Sequence, residues 1–276
     1  MQAFFMDKFV KIEVETISSD ELEILIANLS EIKFYAFEQE ENSLFAYIKE
    51  EDFKEEILKK ILDVDQIYKK TMIRDENWNQ QWESELQPVI VNDFAAIRAS
   101  FHEPIQNVKY ELIITPKMSF GTGHHDTTFL MVELMESIDF TGKSVIDFGT
   151  GTGVLAILAE KLGASKIIAI DHDEWSINNA LENLEANNCR NISVEKRDHL
   201  TGLSSVNIII ANINLNVLTE AAQSISSSLE SGSLFLASGF LLKDEKAMEN
   251  IFAEKHFVKK SVLQKGDWLA ILFEKQ

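Results

Sequence analysis

The chain has 276 residues, 45% of them hydrophobic and 26% charged; this is ordinary globular composition at a length that suits two domains better than one small core. With 45 acidic against 26 basic residues the formal net charge is -19, which disfavours unassisted binding to a nucleic-acid backbone and suits a cationic partner. The single cysteine, Cys189, cannot close an intrachain disulfide, and no apolar run approaches membrane-spanning length, so a soluble, cytoplasmic protein is expected.

Residues 9–15 alternate in the manner of a half-buried strand, and Ser18-Ser19-Asp20-Glu21 supplies a helix start before Leu22, Ile24, Leu25 and Leu29. Two strand-like runs, Phe34–Phe37 and Leu44–Ile48, flank a polar turn; a helical pattern covers 52–62 and a last strand 67–73. The order β-α-β-β-α-β predicts a small α+β ferredoxin-like domain over 1–74. Its acidity is marked, since residues 1–65 hold 17 Asp and Glu against 7 Lys. Residues 75–114 read as a linker with a short helix, in which Trp78 and Trp82 share a face suited to packing and Pro88 and Pro104 punctuate the rest.

From residue 115 to 276 strands alternate with helices, the α/β signature of a Rossmann-like domain. Strands are expected at 144–148, 166–170, 192–196, 206–211 and 233–238, with helices at 154–162, 174–187, 214–229 and 242–255. A further helical run covers Phe129–Ile138. The last two strand-like runs, Phe257–Gln264 and Trp268–Phe273, are separated only by Lys265-Gly266-Asp267 and therefore demand an antiparallel hairpin.

The strand Ser144–Phe148 runs directly into Gly149-Thr150-Gly151-Thr152-Gly153, and a helix follows. Glycines there let the backbone turn sharply and approach a ligand. The next strand ends in Asp171, placed to accept hydrogen bonds from both hydroxyls of a ribose. Two nucleoside cofactors compete for such a unit. A dinucleotide fingerprint is G-x-G-x-x-G, whereas this run is G-x-G-x-G, with Val154 where the third dinucleotide glycine would fall. Asp147, just before the turn, would repel a pyrophosphate and suit an ammonium group. Both features favour S-adenosylmethionine, as does the terminal hairpin. The fourth strand of this series ends at Asn212, whose amide can hold a cofactor or a nucleophile; Asn214 suits a helix cap. Adjacent His124, His125 and Asp126 do not converge on one metal, and none is expected. The residues alone leave three other readings: a methyltransferase of another small-molecule or RNA substrate, an NAD-binding oxidoreductase, and a cofactor-binding protein without catalysis.

A second glycine-rich loop, Phe120-Gly121-Thr122-Gly123-His124-His125-Asp126-Thr127-Thr128, precedes the 129–138 helix. It resembles the F-G-T-G-x-H-x-T-T segment of the ribosomal protein L11 methyltransferase family. The likeness extends to the acidic front, Trp78 and Trp82, Val145-Ile146-Asp147-Phe148-Gly149, Asp171, Ala211-Asn212-Ile213 and Ser238-Gly239. It implies a class I methyltransferase sheet and transfer of methyl groups from S-adenosylmethionine to lysine side-chain and N-terminal amines of ribosomal protein L11. It further implies cofactor binding at Thr128, Gly149, Asp171 and Asn212, joined by Gly151 of the turn, and substrate recognition by the front domain. Asn212 is the candidate for orienting the attacking amine, and no general base stands out. The chain departs from the commoner F-G-T-G-T-H-P-T-T at His124 and Asp126, and it carries Thr150 and Thr152 where Cys or Ala and Ser are frequent.

Overall fold

The structure, a computed structural model, describes residues 8–15, 25–26, 28–30, 32–34, 36–40, 43–62, 68–74, 87–115 and 121–276. The helix start at 18–21, Trp78, Trp82 and Phe120 lie outside the described residues. The chain divides into two compact units, 1–86 and 87–276.

In the first unit, strands β1 (Lys8–Glu15), β2 (Ala36–Glu40), β3 (Ser43–Lys49) and β4 (Tyr68–Arg74) form one sheet in the order β2-β3-β1-β4. Every pairing is antiparallel. The alternation in β1 has its expected consequence: Val10, Ile12 and Val14 are buried together with Leu25, Leu29, Leu44, Ile48 and Leu58. Helix α1 (Glu55–Ile61) supplies Leu58. β2 starts later than Phe34 and continues to Glu40 because its pairing with β3 runs on until Glu40 lies opposite Ser43, and ladder hydrogen bonds need no apolar side chain. Phe34 is buried just before it.

The second unit begins earlier than the sequence suggests. Residues expected as a linker up to 114 instead form a sheet of β5 (Val89–Val91), β6 (Ala95–Arg98) and β7 (Tyr110–Ile113). Val91, Phe94, Ala95, Ile97, Leu112 and Ile114 belong to the core of this unit. Strands of three or four residues are too short to display a period, which is why they read as connector. The partly exposed Glu111 carboxylate grips the buried Arg98 at both oxygens, Nε to Oε1 at 2.8 Å and Nη2 to Oε2 at 3.0 Å. The guanidinium holds the Glu111 carboxyl below its ordinary pKa.

The main sheet has seven strands: β8 (Ser144–Phe148), β9 (Lys166–Asp171), β10 (Ile192–Lys196), β11 (Val206–Asn212), β12 (Leu229–Leu241), β13 (Phe257–Lys265) and β14 (Trp268–Lys275). Their order is β10-β9-β8-β11-β12-β14-β13, parallel except that β14 enters antiparallel between β12 and β13. The helices are α2 (Asp126–Met135), α3 (Val154–Lys161), α4 (Glu174–Ala186), α5 (Leu215–Ser227) and α6 (Glu245–Ala253). Those named α2, α3 and α4 pack with one face of the sheet, α5 and α6 with the other. Covering both faces explains the unbroken apolar runs of the central strands, in which Ile208 and Ile210 enter one core and Ile209 the other. β12 is longer than expected, since its pairing extends back to Leu229, so α5 stops at Ser227. No helix among the described residues is long and apolar enough to cross a membrane.

One tie was not foreseen. Asn179 and Asn183 on α4 and Asn187 at its C-terminal cap recur every four residues and bond to main chain. Asn183 Oδ1 accepts from Thr115 N at 2.8 Å and Nδ2 donates to Thr152 O at 2.8 Å. Asn187 exchanges bonds of 3.0 and 2.7 Å with Ile113. Asn179 Nδ2 reaches Thr115 O at 3.4 Å. This amide ladder fastens the end of β7 to α4. Replacing the fully buried Asn183 with Leu keeps the volume and strands two peptide groups, so urea unfolding should show a loss of about 2–5 kcal/mol. Exposed Leu181→Asn on the same helix should be near neutral.

Candidate functional site

The strand order reverses between β8 and β11, so a crevice opens at their carboxyl ends. Gly149, Gly151 and Gly153 carry the chain out of β8 with φ of 76°, 54° and 81°. The turn is pinned by Gly149 N and Thr150 N, both donating to Ile170 O at 2.9 Å. At Gly149 a Cβ would lie 2.3 Å from Ile213 Cγ2, so no other residue fits. Gly153 sits at the start of α3 with Ala180 of α4 against it, a close helix approach that a side chain would push apart. The two threonines of the turn each hold something down. Thr150 Oγ1 donates to Asp147 Oδ2 at 2.6 Å, and Thr152 Oγ1 donates to Gly121 O at 2.8 Å, which docks the second glycine loop on the first.

Asp171 closes β9. Its Oδ2 accepts from Gly151 N at 2.9 Å and its Oδ1 from Asp173 N at 3.0 Å. Each oxygen keeps a lone pair for a ligand hydroxyl. Asn212 ends β11, opposite Ser238 of β12, and is 8% exposed. Its Nδ2 donates to Thr128 Oγ1 at 3.3 Å, while its Oδ1 is buried with no hydrogen-bond partner among the described residues. An orphaned buried carbonyl beside a cavity is an acceptor waiting for a donor. Asn214 caps α5 by accepting from Val217 N, as its position suggested.

These residues surround a cavity of about 490 Å³, a size suited to a nucleoside-bearing ligand. Gly149, Gly151, Asp171 and Asn212 all line it. Thr128 does not: successive helical residues diverge by about 100°, so of two equally buried threonines Thr127 borders the cavity while Thr128 touches the lining residue Asn212. Asp147 also departs from expectation. It is 1% exposed, lies beneath the turn and does not line the cavity, so it cannot meet a ligand's ammonium group directly. Burial pushes its carboxyl up to about 7, against the opposing hydrogen bond from Thr150. The acidic groups on the cavity wall are instead Asp171 and Asp173, and no Lys or Arg appears among the described lining residues.

His125, the histidine of the second glycine loop, also lines the cavity, as do Asp173, Ser176 and Trp268, which the sequence does not single out. Asp173 caps α4. Trp268 had a readable signal: β14 is antiparallel to its neighbours, so its first residue lies at the edge where the parallel strands end. His125 caps α2 and meets the Trp268 ring edge-on, with centroids 4.7 Å apart. His124 points elsewhere, 3.1 Å from Thr122 Oγ1 and 2.8 Å from Gln87 O. The two histidines therefore do not converge, and among the described residues no cluster of three or more His, Cys, Asp or Glu is arranged to hold a metal.

Known proteins resemble the chain over most of its length. A family model described as Ribosomal protein L11 methyltransferase (PrmA) matches residues 6–276. A ribosomal protein L11 methyltransferase of Bacteroides fragilis is 38% identical over 264 residues, covering 91% of this chain and 93% of its own. One from Chlorobaculum tepidum is 34% identical, with 94% of each chain covered. Among solved structures, the ribosomal protein L11 methylase of Lactobacillus delbrueckii subsp. bulgaricus superposes with a TM-score of 0.64 at 26% identity, over 69% of this chain and all of that one.

The buried carboxyl under the turn gives a pH signature. A folded-state value near 7, above the unfolded 3.8, means that between those values the folded form holds a proton the unfolded form has lost. The contribution of Asp147 to stability is then full below about pH 4 and is lost as pH rises through 7. Asp147→Asn, which keeps an acceptor for Thr150, should flatten that part of the stability profile; the check is the wild-type minus variant difference in unfolding free energy from pH 4 to 8.

Proposed function

The chain belongs to the ribosomal protein L11 methyltransferase family, and on that premise we propose that it transfers methyl groups from S-adenosylmethionine to lysine side-chain and N-terminal amines of ribosomal protein L11. A ribosomal substrate sets this reaction in the cytoplasm. The observation that carries the reading is one cavity wall holding Gly149, Gly151, Asp171 and Asn212, at the edge where β8 and β11 end.

The residues fit the cofactor. Asp171 offers unshared lone pairs to ribose hydroxyls, the Gly149 turn admits close approach, and a wall with Asp171 and Asp173 and no described Lys or Arg suits a cationic ligand. Thr128 supports the site by fixing the Asn212 amide. S-adenosylmethionine supplies a sulfonium-bound methyl group open to in-line attack. The orphaned Asn212 Oδ1 is the acceptor best suited to an amine N–H, which would orient the nitrogen lone pair. A lysine with a reference pKa near 10.4 costs about 4 to 5 kcal/mol to present as neutral amine at pH 7. Desolvation in a cavity whose lining includes the apolar Trp268 and Ile213 lowers that cost by penalising the ammonium form.

For the first unit we propose a ferredoxin-like domain that recognises the basic ribosomal protein. The order β2-β3-β1-β4 with antiparallel pairing supports the fold, and the excess of acidic residues over 1–65 supports the role.

Radiolabelled transfer from S-adenosylmethionine to purified ribosomal protein L11 tests the reading; label entering only RNA or a small molecule would overturn the substrate, and calorimetric binding of NAD without a response to S-adenosylmethionine would overturn the cofactor. Asp171→Ala should weaken S-adenosylmethionine binding by about 10- to 100-fold. Deleting 1–86 should abolish transfer to the ribosomal protein while calorimetry finds cofactor affinity kept; loss of both would mark the first unit as a structural support.

A further inference from the structure

The cavity wall formed by His125 and Trp268 is built from two adjoining contacts. Lys265 and Trp268 are opposite one another across the closing pair of the β13–β14 hairpin. His125 and Asp126 are consecutive at the start of α2. Trp268 meets His125 edge-on, and Lys265 Nζ meets Asp126 Oδ1 at 3.1 Å. The same ammonium lies 4.8 Å from the centre of the Phe129 ring, one turn further along α2. At Gly266 a Cβ would come within 3.3 Å of Asp126 Oδ2, so the turn passes close to this carboxylate and a side chain there would crowd it. Ring contact and ion pair therefore join the same two elements, one facing the cavity and one behind it.

We propose that Asp126 and Lys265 are positioning residues, whose ion pair clamps the β13–β14 turn on the N-terminus of α2 and so holds Trp268 against His125 as a cavity wall. The position of Asp126 in the loop pattern F-G-T-G-T-H-P-T-T is a proline. A proline at a first helical position fixes φ unaided. Aspartate does not, and here the order comes from across the hairpin. The wall adjoins Thr127 and, through Thr128, the Asn212 amide, so the clamp bears on the end of the cavity where the amine is oriented. In its kinetic part this rests on the proposed methyl transfer; in its structural part it does not.

The test uses the full chain, labelled with nitrogen-15. Its four tryptophans give four indole N–H signals, and that of Trp268 is identified by its loss in Trp268→Phe. Lys265→Met keeps the alkyl stem and removes the charge. It should move the Trp268 signal and leave the other three in place. It should also lower kcat/KM for a lysine-bearing peptide of the ribosomal protein about two- to fivefold, as an exposed ion pair allows, with the Kd for S-adenosylmethionine changed less than twofold. Asp126→Ala should behave alike, whereas Asp126→Pro, or the exchange Asp126→Lys with Lys265→Asp, should restore both readouts. An unmoved Trp268 signal in Lys265→Met would overturn the proposal, as would loss of cofactor affinity in parallel with transfer. If the wild type transfers no methyl group, the functional reading fails while the Trp268 signal still decides the clamp.

Discussion

Ile213 occupies space that two neighbouring strands must leave empty. A Cβ on Gly149 would fall 2.3 Å from its side chain, and one on Gly239 would fall 2.2 Å from its carbonyl oxygen. Both glycines have positive φ, and Gly239 drops out of the β12–β14 ladder where the register shifts between Ser238 and Phe240. The ends of β8, β11 and β12 thus converge on one residue. Because Ile213 N also donates to Ser238 O at 3.1 Å, the backbone just after Asn212 has little freedom. Asn212 therefore leaves β11 on a fixed backbone, and its amide is held from there by Thr128.

Around that fixed floor, polar groups divide into those already satisfied and those held in reserve. Asp147 and Thr150 satisfy each other, Thr152 is spent on Gly121 and Asn183, and Glu111 on Arg98. Asp171 is half spent, one backbone donor to each oxygen. Asn212 Oδ1 is unspent. The preorganised groups are therefore those beneath the surface, and the cavity wall's capacity for new bonds is concentrated on two side chains, at the ends of β9 and β11 on either side of β8. A ligand that bonds both must span from the β9 edge to the β11 edge, as a nucleoside joined to an amino acid does. Such division keeps the acceptors rigid without supplying them with internal partners, which is how a site avoids reorganising when its ligand arrives.

Much of this was legible before any coordinates. The alternation of strands and helices, the glycine run, Asp171 at the following strand end and the short loop at Lys265-Gly266-Asp267 each carry local information, because turn chemistry and periodicity are local. What failed to show was set by distance in the chain. β5, β6 and β7 are strands only because they share a core with α2 and α3. Asp147 looked like a ligand group because it borders the turn; the pleat sends it beneath. Thr128 and Thr127 are one helical step apart, and which of them meets the cavity depends on how α2 docks. Trp268 comes to the site through the insertion of β14, a fact of sheet order rather than of its neighbours in sequence. His124 and Asp126, departures from a familiar pattern, gain partners at Gln87 and Lys265 that no local reading could pair with them.

The amide ladder on α4 carries a consequence for how such a sequence can drift. A contact between two side chains can survive change by exchange, since a substitution on one side can be answered on the other. Asn183 and Asn187 bond to peptide groups of Ile113, Thr115 and Thr152. The peptide group is the same whatever the residue, so the partner has no alternative to offer. Those two positions are constrained by the main chain itself, and neutral variation on α4 is left to its outward face, where Trp175 and Leu181 stand in solvent. A helix of this kind ages unevenly: one stripe is held by chemistry that cannot mutate, while the opposite stripe is free to record ancestry.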